Sequence, residues 1–494
     1  MNYTSTRGRS GEVLSAAQII KQGLAADGGL FIPEEIPTLT ESEIEELCKK
    51  SYSERAATIL SKFLSDYTYD ELLADCKQAY CESSFPGGAA PVVKAKDGIY
   101  SLELWHGPTA AFKDMALQIM PRLLSRALVK TGEKRTALIL VATSGDTGKA
   151  ALEGYKDVDG IKIMVFYPTG GVSRVQKMQM ATQTGSNVNV TAIRGNFDDA
   201  QSGVKKIFSD EDAVALLDEN GYFFSSANSI NWGRLAPQIV YYVSAYCDLL
   251  TKGDIKLGDK INVCVPTGNF GNIFAAYLAQ LMGLPLGKLI CASNQNNILT
   301  DFLNTGRYDR NRDFHLTMSP SMDILISSNL ERLLAFTAGK EATAKYMDDL
   351  ATKGVYEVSA DVKAKIAENF KGYYADESET AATINAYYTK YGYLPDTHTA
   401  VALCSAEKYI AESGDNTPMI VASTASPYKF AADVCCSLGL KKPEDDMDAL
   451  DMLSDCTKTE ITYPLRDLDK REIRFTEVIE SADMLNAVKK YALK

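Results

Sequence analysis

Short runs of apolar residues alternate with amphipathic stretches through the middle of the chain. A continuous apolar run bounded by glycine, proline or polar residues predicts a strand buried on both faces, whereas apolar residues at helical spacing predict a helix. Strands are predicted at residues 137–142, 161–167, 188–193, 222–225, 261–265, 288–292 and 418–423. Helices are predicted at residues 115–130, 148–156, 172–183, 198–209, 233–251, 271–282 and 427–438. This alternation is typical of open parallel sheets with helices on both faces, so the sequence predicts an α/β fold.

The segments on either side of this alternation have helical patterns without long apolar runs. Residues 1–95 are predicted to be mainly helical, with a helix cap at Thr40 followed by Glu43. Residues 330–395 are predicted to form a helical insertion between sheet strands. We therefore expect an N-terminal helical domain at 1–95, a smaller α/β lobe at 96–235 and a larger α/β lobe at 236–494.

Composition and charge indicate a globular protein that is not expected to bind nucleic acid or anionic membranes. The chain has 494 residues, of which 46% are hydrophobic and 23% charged, as is usual for a globular protein with large cores. Its 52 basic and 64 acidic residues give a net charge of −12. An acidic chain is a poor match for nucleic acid or an anionic membrane, so neither is expected as a partner.

Cysteine, histidine and the N-terminal residues indicate the compartment. The ten cysteines include no C-x-x-C motif and are expected to be reduced thiols. The three histidines, His106, His315 and His398, do not have metal-ligand spacing, so no metal site is expected. Residues 1–8 carry no apolar targeting segment, and no apolar run is long enough to span a membrane. We therefore expect a cytoplasmic protein.

Polar, glycine-containing loops follow the predicted strands. They begin near residues 143, 168, 194, 266, 293 and 424 and are rich in Gly, Ser, Thr and Asn. Ligands of open parallel sheets bind at the carboxyl ends of the strands. Because these loops offer backbone N–H groups and hydroxyls at that edge, they predict a cleft that accepts an anion.

The loop at residues 266–272 is the best candidate for holding a phosphate group. Gly268 and Gly271 permit a close approach of the backbone, and the loop opens a predicted helix. A helix N-terminus presents free N–H groups and a partial positive charge to an anion. A glycine-rich turn without any ligand is the alternative.

Two nucleotide-binding motifs fail in this region. Gly148 and Lys149 match the end of a Walker A motif, but Thr143 stands at its first glycine and Ala150 at its hydroxyl position. Without that hydroxyl a bound Mg²⁺ lacks a ligand, so a nucleoside-triphosphatase is not expected. The dinucleotide motif G-x-G-x-x-G does not follow any of the predicted strands either.

Lys113 lies directly before the helix predicted at residues 115–130. A lysine at a helix N-terminus opposes the helix dipole, and most such lysines simply extend into solvent. The alternative is a reactive amine whose pKa the local positive field lowers. An amine of this kind near a phosphate-binding loop is what a pyridoxal phosphate enzyme requires.

At this point the motifs resemble those of a known family. The segment around Lys113 resembles the P-T-x-x-F-K-D element of fold-type II pyridoxal phosphate enzymes, and the full set resembles the threonine synthase family in its longer, microbial and fungal form. The matching segments occur in family order and cover nearly the whole chain. They are residues 5–8 (STRG), 27–31 (DGGLF), 106–114 (HGPTAAFKD), 143–148 (TSGDTG), 228–234 (NSINWGR), 266–272 (PTGNFGN) and 423–425 (STA).

The resemblance implies roles for individual residues toward the cofactor, pyridoxal 5′-phosphate. It implies that Lys113 is the Schiff-base lysine and later moves protons. It also implies that Thr424 hydrogen-bonds the pyridine nitrogen. The cofactor phosphate is expected in the loop that contains Gly268, Asn269, Phe270 and Asn272.

The resemblance also implies substrate contacts. The amino-acid end of the substrate is expected at Ser144, Asp146 and Thr147. Asn231 and Arg234 are candidates for contacts near the substrate phosphate, with a structural ion pair as the alternative for Arg234.

One position departs from the family pattern. The family is expected to have His where this chain has Ser426, which removes whatever that imidazole does but leaves the contact at Thr424.

The function implied by the resemblance is that of a carbon–oxygen lyase. It would convert O-phospho-L-homoserine and water to L-threonine and phosphate, by elimination at Cγ and addition of water at Cβ. The alternative on the same scaffold is a phospho-lyase that releases a 2-oxo acid, ammonia and phosphate. The expected partner is a small-molecule substrate, and the expected state is a monomer or homodimer.

Overall fold

The computed structural model describes residues 1–143, 145–170 and 172–493. Within these ranges, the two largest sheets have five and six strands, and helices pack against them. The α/β class predicted from the hydrophobic pattern is therefore confirmed. Each helix in these ranges is too short or too polar to cross a membrane.

The N-terminal region combines a small antiparallel sheet with short helices. Its helices begin at a serine or threonine whose side chain accepts a backbone N–H one turn on, while a Gln or Glu there accepts the N–H of the capping residue. Such reciprocal caps fix where each helix starts. The elements are β1 Tyr3–Ser5, α1 Ala16–Gln22, β2 Phe31–Pro33, α2 Glu41–Cys48, α3 Tyr52–Phe63 and α4 Tyr69–Ala79.

A hairpin and two helices follow. They are β3 Val92–Lys96, β4 Ile99–Glu103, α5 Asp114–Leu117 and α6 Met120–Lys130. The single helix predicted at 115–130 is broken between Leu117 and Met120, where α6 begins as a separate helix with Pro121 in its first turn.

The next segment alternates strands and helices. Its elements are β5 Thr136–Ala142, α7 Asp146–Tyr155, β6 Ile161–Pro168, α8 Arg174–Ala181, β7 Val188–Arg194, α9 Phe197–Phe208, α10 Glu211–Glu219 and β8 Tyr222–Ser225. Helices α11 Trp232–Leu235 and α12 Pro237–Lys252 follow, and Pro237 divides the helix predicted at 233–251. The predicted strands of this segment are confirmed.

The remaining elements belong mostly to the larger sheet. They are β9 Ile261–Pro266, α13 Gly271–Leu281, β10 Leu286–Ser293, α14 Ile298–Thr305, β11 Arg307–Asp309, α15 Leu330–Ala338, α16 Lys340–Lys353, β12 Val355–Glu357, α17 Ala360–Asn369, β13 Phe370–Tyr374, α18 Glu377–Tyr391, α19 Thr397–Ser413, β14 Met419–Ser423, α20 Ala431–Ser437, α21 Asp448–Thr457, β15 Val478–Glu480 and α22 Met484–Ala492. Short 3₁₀ turns lie at Pro320–Met322, Pro427–Phe430, Tyr463–Leu465, Leu468–Lys470 and Ser481–Asp483.

Both large sheets are essentially parallel. The smaller has the order β15-β7-β6-β5-β8 and is parallel throughout, whereas the larger has the order β13-β10-β9-β14-β4-β3 with only β3 antiparallel. The loops after β5, β9 and β14 therefore leave the carboxyl ends of their strands, as predicted.

The path of the chain differs from the predicted division into lobes. Strand β4 pairs with β14 in the larger sheet, although residues 96–235 were assigned to the smaller lobe. Strand β15 returns from the C-terminal region to pair with β7 in the smaller sheet. Strand β13 extends the larger sheet from within the segment predicted as a helical insertion. The chain thus crosses between the sheets several times, which ties them together.

The N-terminal region is fixed to α12 by a largely buried ion pair, which leads to a prediction. Arg55 Nη1 donates to Asp248 Oδ1 at 2.6 Å and to Ser244 Oγ at 2.8 Å. We expect Arg55→Ala to lower the free energy of unfolding by about 2 kcal/mol, because it leaves both partners without their donor. Urea denaturation measures this change.

The matched control is Arg194→Ala. Arg194 also pairs with a carboxylate, Glu480, but both side chains are mostly exposed. Its removal is expected to cost less than about 0.5 kcal/mol. Equal losses in the two variants would contradict the anchoring role of Arg55.

Candidate active site

The loop that carries Lys113 is held against the end of strand β14. Phe112 N–H donates to the carbonyl of Thr424 at 2.8 Å, and Ser426 N–H donates to the carbonyl of Ala110 at 3.1 Å. Ala110 has a φ of 60°, a left-handed conformation that costs a non-glycine residue free energy and persists only where its surroundings impose it. These contacts place Lys113 at the carboxyl edge of the larger sheet.

A buried carboxyl group braces the same loop from within. Asp114 accepts hydrogen bonds from Thr109 N–H at 2.8 Å and from Thr109 Oγ1 at 2.7 Å. A Cβ atom at Gly107 would lie only 2.5–2.8 Å from the Asp114 side chain, so this position has room only for glycine. Burial raises the pKa of Asp114 to about 6, although its hydrogen bonds from Thr109 act in the opposite direction.

The amine of Lys113 faces a second lysine across one carboxylate. Lys113 Nζ lies 3.4 Å from Asp146 Oδ2, and Lys429 Nζ lies 2.9 Å from Asp146 Oδ1. Asp146 is the first residue of α7, which follows a strand of the smaller sheet, whereas Lys429 lies in the turn after β14. The carboxylate therefore joins residues of both sheets around the amine.

Burial and charge shift the ionisation of this group. Burial lowers the pKa of Lys113, and the nearby cations Lys429 and Arg234 lower it further, against the opposing effect of Asp146. Burial alone would raise the pKa of Asp146, but the two lysines outweigh it and hold that pKa well below its ordinary value. Lys113 is thus an amine that loses its proton more readily than an exposed lysine, as a nucleophile or base requires.

The loop at 266–272 has the features of an anion site. Phe270 has a φ of 62° and its side chain does not cap α13, so the first N–H groups of this 11-residue helix have no acceptor among the described residues. Asn329 fixes the loop by donating to the Asn269 carbonyl through its backbone N–H at 3.0 Å and its Nδ2 at 2.9 Å. The exposed Asn269 side chain lies at the surface of this loop.

An orphaned donor supports a phosphate group at this loop. Asn272 Oδ1 accepts hydrogen bonds from the hydroxyls of Tyr241 and Tyr242, which orients the amide. Its Nδ2 is buried and has no partner among the described residues. A buried N–H group without an acceptor is costly, and a phosphate oxygen would satisfy it. The residues present therefore fit the phosphate of pyridoxal phosphate.

Thr424 and Ser426 lie on the same turn but have different surroundings. The hydroxyl of Thr424 makes no hydrogen bond with the described residues, although the residue is buried, so it is free to contact a ligand. Ser426 is fully occupied: its Oγ accepts the N–H of Tyr428 at 3.3 Å and bonds the hydroxyl of Thr462. Ser426 therefore caps the 3₁₀ turn that carries Lys429.

The N-terminus of α7 offers a second set of free donors. Thr143 Oγ1 accepts the N–H groups of Gly145 and Gly148 at 2.9 Å each and shapes the loop. The N–H groups of Asp146 and Thr147 have no acceptor among the described residues. These two donors suit a carboxylate. Ser144, predicted with them, lies outside the described residues.

The structure places the other two predicted substrate residues inside the fold. Asn231 caps α11 by accepting the N–H of Gly233 at 2.9 Å, and its Nδ2 donates to the Ile20 carbonyl at 2.9 Å. Arg234 donates from Nη1 to the Ala227 carbonyl at 2.7 Å, and burial lowers its pKa to about 10. No carboxylate among the described residues forms an ion pair with Arg234, so the structural ion pair considered for it is absent there.

Several residues of this cluster escaped the sequence analysis. Gln176 Nε2 donates to Asp146 Oδ1 at 2.8 Å, and Ser321 Oγ donates to Asp146 Oδ2 at 3.3 Å. Ser321 N–H donates to His398 Nε2 at 3.1 Å, so the His398 proton lies on Nδ1, 2.8 Å from the Asp396 carboxylate. The only available signal for Ser321 was its place in the serine-rich stretch at 319–328. In the described ranges no group of three or more His, Cys, Asp or Glu side chains is arranged to hold a metal ion.

Comparison with protein families matches almost the whole chain. Residues 2–80 match the family described as threonine synthase N terminus, residues 86–424 match that of pyridoxal-phosphate dependent enzymes, and residues 399–491 match threonine synthase, C-terminal.

Individual relatives agree with these families. A protein named threonine synthase-like 1 from Pongo abelii is 41% identical over 86% of this chain, but the chain spans only 58% of that relative's length. Threonine synthase from Pseudomonas aeruginosa is 38% identical, with 87% of this chain and 89% of the relative covered. The crystal structure of threonine synthase from Brucella melitensis with pyridoxal phosphate bound is 37% identical, with a TM-score of 0.88 and 100% of both chains covered.

The packing of the 266–272 loop leads to a prediction about cofactor affinity. A Cβ atom at Gly268 would lie 2.8 Å from the Ser321 carbonyl, a backbone group that cannot move without shifting the Pro320–Met322 turn. We expect Gly268→Ala to raise the dissociation constant for pyridoxal phosphate about tenfold, which corresponds to about 1.4 kcal/mol. Titration of the cofactor-free chain, followed by absorbance, measures it.

Gly170→Ala is the matched control for this substitution. Gly170 also lies in a loop after a strand, but nothing lies within 4 Å of the position its Cβ would take. Its dissociation constant is expected to equal that of the unchanged chain. Similar dissociation constants for Gly268→Ala and Gly170→Ala would show that the loop does not hold the cofactor.

Proposed function

The chain belongs to the threonine synthase family of pyridoxal-phosphate-dependent enzymes, and we propose that it converts O-phospho-L-homoserine and water to L-threonine and phosphate. Its fold is fold type II, as the resemblance of its motifs implied. The observation that carries the proposal is a largely buried amine, Lys113, whose pKa is lowered and which lies at the same edge of the larger sheet as a loop with unpaired donors for a phosphate group.

The cofactor residues follow from the geometry of the two loops. The free N–H groups at the start of α13 and Nδ2 of Asn272 would hold the cofactor phosphate, and Thr424 would offer its hydroxyl to the pyridine nitrogen. A neutral hydroxyl stabilises the protonated form of that nitrogen less than a carboxylate would, so the nitrogen would be less firmly protonated. Pyridoxal phosphate supplies a conjugated ring that delocalises negative charge from the Cα of a bound amino acid.

Lys113 is assigned the proton transfers. In its neutral form, Nζ of Lys113 takes the proton from Cα of the substrate, and it later returns a proton as the ammonium. Asp146 Oδ2 stays within 3.4 Å of Nζ and stabilises that ammonium. Over the whole reaction the bond between Cγ and the phosphate oxygen breaks, and Cγ gains the proton that Cβ loses and becomes a methyl group. The hydroxyl of water adds to Cβ and the remaining water proton goes to the released phosphate, so atoms and charge balance.

Substrate recognition needs two anion sites. The N–H groups of Asp146 and Thr147, with Ser144, are assigned to the substrate carboxylate. Arg234 is assigned to the substrate phosphate because a buried guanidinium that pairs with no carboxylate of the described residues favours binding of a dianion. Asn231 positions Arg234 through the start of α11, since its own hydrogen bonds are made within the fold.

Cytoplasmic location and a monomeric or homodimeric state are part of the proposal. All ten cysteines are free thiols, as expected in a reducing compartment.

The role of Lys113 gives a direct prediction. Lys113→Ala is expected to lower the rate of phosphate release about a thousandfold or more, because it removes the amine to which the proton transfers are assigned. Lys134→Ala, which removes an exposed lysine, should leave the rate unchanged. Substantial activity in the Lys113→Ala variant would refute the mechanism.

The identity of the product tests the proposed reaction itself. Purified protein with pyridoxal phosphate is incubated with O-phospho-L-homoserine, and phosphate, threonine and 2-oxobutanoate are measured together. Equal amounts of phosphate and threonine are expected. Phosphate matched by 2-oxobutanoate would make the protein a phospho-lyase, and absence of phosphate would mean that this is not its substrate.

A further inference from the structure

Lys429 is a buried cation that the reaction as proposed does not use. Its side chain is fully buried, in the 3₁₀ turn that follows Thr424. Nζ of Lys429 lies 2.9 Å from Asp146 Oδ1 and donates to the Thr109 carbonyl at 2.7 Å. It therefore contacts both the carboxylate that faces Lys113 and the loop that carries Lys113.

The contacts of Asp146 leave its carboxylate no freedom to rotate. Oδ1 forms an ion pair with Lys429 Nζ at 2.9 Å and accepts a hydrogen bond from Gln176 Nε2 at 2.8 Å. Oδ2 accepts from Lys113 at 3.4 Å and from Ser321 Oγ at 3.3 Å. Partial rotation about the Cβ–Cγ bond would break these contacts, so they fix the plane of the carboxylate and keep one of its oxygens directed at Lys113.

We propose that Lys429 is a positioning residue for the reaction: by occupying one oxygen of Asp146, it holds the other oxygen on the amine of Lys113 and makes two buried lysines share one negative charge. The inference rests on the proposed function in taking Lys113 as the reacting amine. Lys429 itself acts through Asp146 and through the Thr109 carbonyl.

The charged groups around Lys113 determine how its pKa changes when one of them is replaced. Asp146 faces it from α7, Lys429 from the 3₁₀ turn and Arg234 from α11. On its own helix, Asp114 is turned to Thr109. If the charge of Lys429 is removed, Asp146 pairs with Lys113 alone, so the pKa of Lys113 rises. If the charge of Asp146 is removed, the cations Lys429 and Arg234 still repel the ammonium of Lys113, so the pKa of Lys113 falls.

These opposite shifts separate a positioning role from a structural one. A site that merely loosens admits water, and the pKa of Lys113 then returns toward its ordinary value in both variants, which is a rise in each case. Only shared use of one carboxylate predicts a rise in Lys429→Met and a fall in Asp146→Asn.

The test measures the pKa of Lys113 in the full-length chain after removal of the cofactor. Competitive acetylation with acetic anhydride across a pH series, followed by peptide mass spectrometry, reports the ionisation of that one amine. We expect Lys429→Met to raise the pKa by about one unit and Asp146→Asn to lower it by a similar amount. Near-UV circular dichroism verifies that each variant keeps its tertiary structure.

Lys149→Met is the matched control. Lys149 is also buried and lies on α7 with Asp146, but its amine pairs with Glu153 at 2.9 Å and with Gln183. The pKa of Lys113 should not change in this variant. Lys429→Gln, which keeps donor groups and removes the charge, replaces Lys429→Met if that variant does not fold, and the same rise is expected.

An unchanged pKa in Lys429→Met, or a rise in both Lys429→Met and Asp146→Asn, would overturn the proposal. The measurement needs neither substrate nor turnover. If no threonine forms but the two variants shift the pKa of Lys113 in opposite directions, only the proposed reaction is refuted. If threonine forms but the pKa of Lys113 rises in both variants, only the role of Lys429 is refuted.

Discussion

The carboxylate of Asp146 is the constraint on which the arrangement of the site depends. Asp146 is the first residue of α7, which follows β5 of the smaller sheet. Its carboxylate contacts Lys429, in the turn after β14 of the larger sheet, and Ser321, in the 3₁₀ turn Pro320–Met322. A buried carboxylate without a partner costs several kcal/mol, so Asp146 can remain charged only while the two sheets keep these partners together. The loop that bears Lys113 is held in the same place by the contact of Thr109 with Lys429 and by the end of β14. The position of the reactive amine is thus a consequence of how the two sheets meet.

The sequence predicts those strands that are buried on both faces. Residues 137–142 are a continuous apolar run and residues 261–265 are apolar except for Asn262, because helices cover both sides, and the structure has strands there. Strand β4 contains Ser101 at its centre, whose hydroxyl bonds that of Tyr393, and β13 contains Lys371 and Gly372, so neither forms an apolar run. Strand β15 has three residues, mostly exposed, and depends on pairing with a strand almost three hundred residues earlier. The hydrophobic pattern of a short, exposed segment does not predict that it pairs with a strand distant in sequence.

The same distinction applies to the site. Lys113 and the loop at 266–272 stood out because their chemistry is local: a lysine before a helix, and glycines at a helix N-terminus. Lys429 and Gln176 have no local signal, and Ser321 has only its place in a serine-rich stretch, because their contacts with Asp146 join residues that are 30 or more positions apart in sequence. Asn231 shows the reverse case. The family resemblance of its motif makes it a candidate for a contact near the substrate phosphate, whereas in the structure its amide caps α11 and donates to a carbonyl of the N-terminal helix α1.

Position 426 shows how a departure from the family pattern is accommodated. The hydroxyl of Ser426 caps the turn at 427–430 and bonds Thr462, so a small side chain is enough to fix the turn that carries Lys429. An imidazole is nevertheless near: His398, oriented by Asp396, packs with its ring centroid 4.7 Å from that of Phe430 in the same turn and accepts the N–H of Ser321. His398 and Ser426 therefore hold, from separate elements, the two turns that supply Ser321 and Lys429 to the oxygens of Asp146. Because Lys429 of one turn contacts Oδ1 and Ser321 of the other turn donates to Oδ2, the carboxylate is oriented through these two turns rather than by a residue at position 426 that touches it.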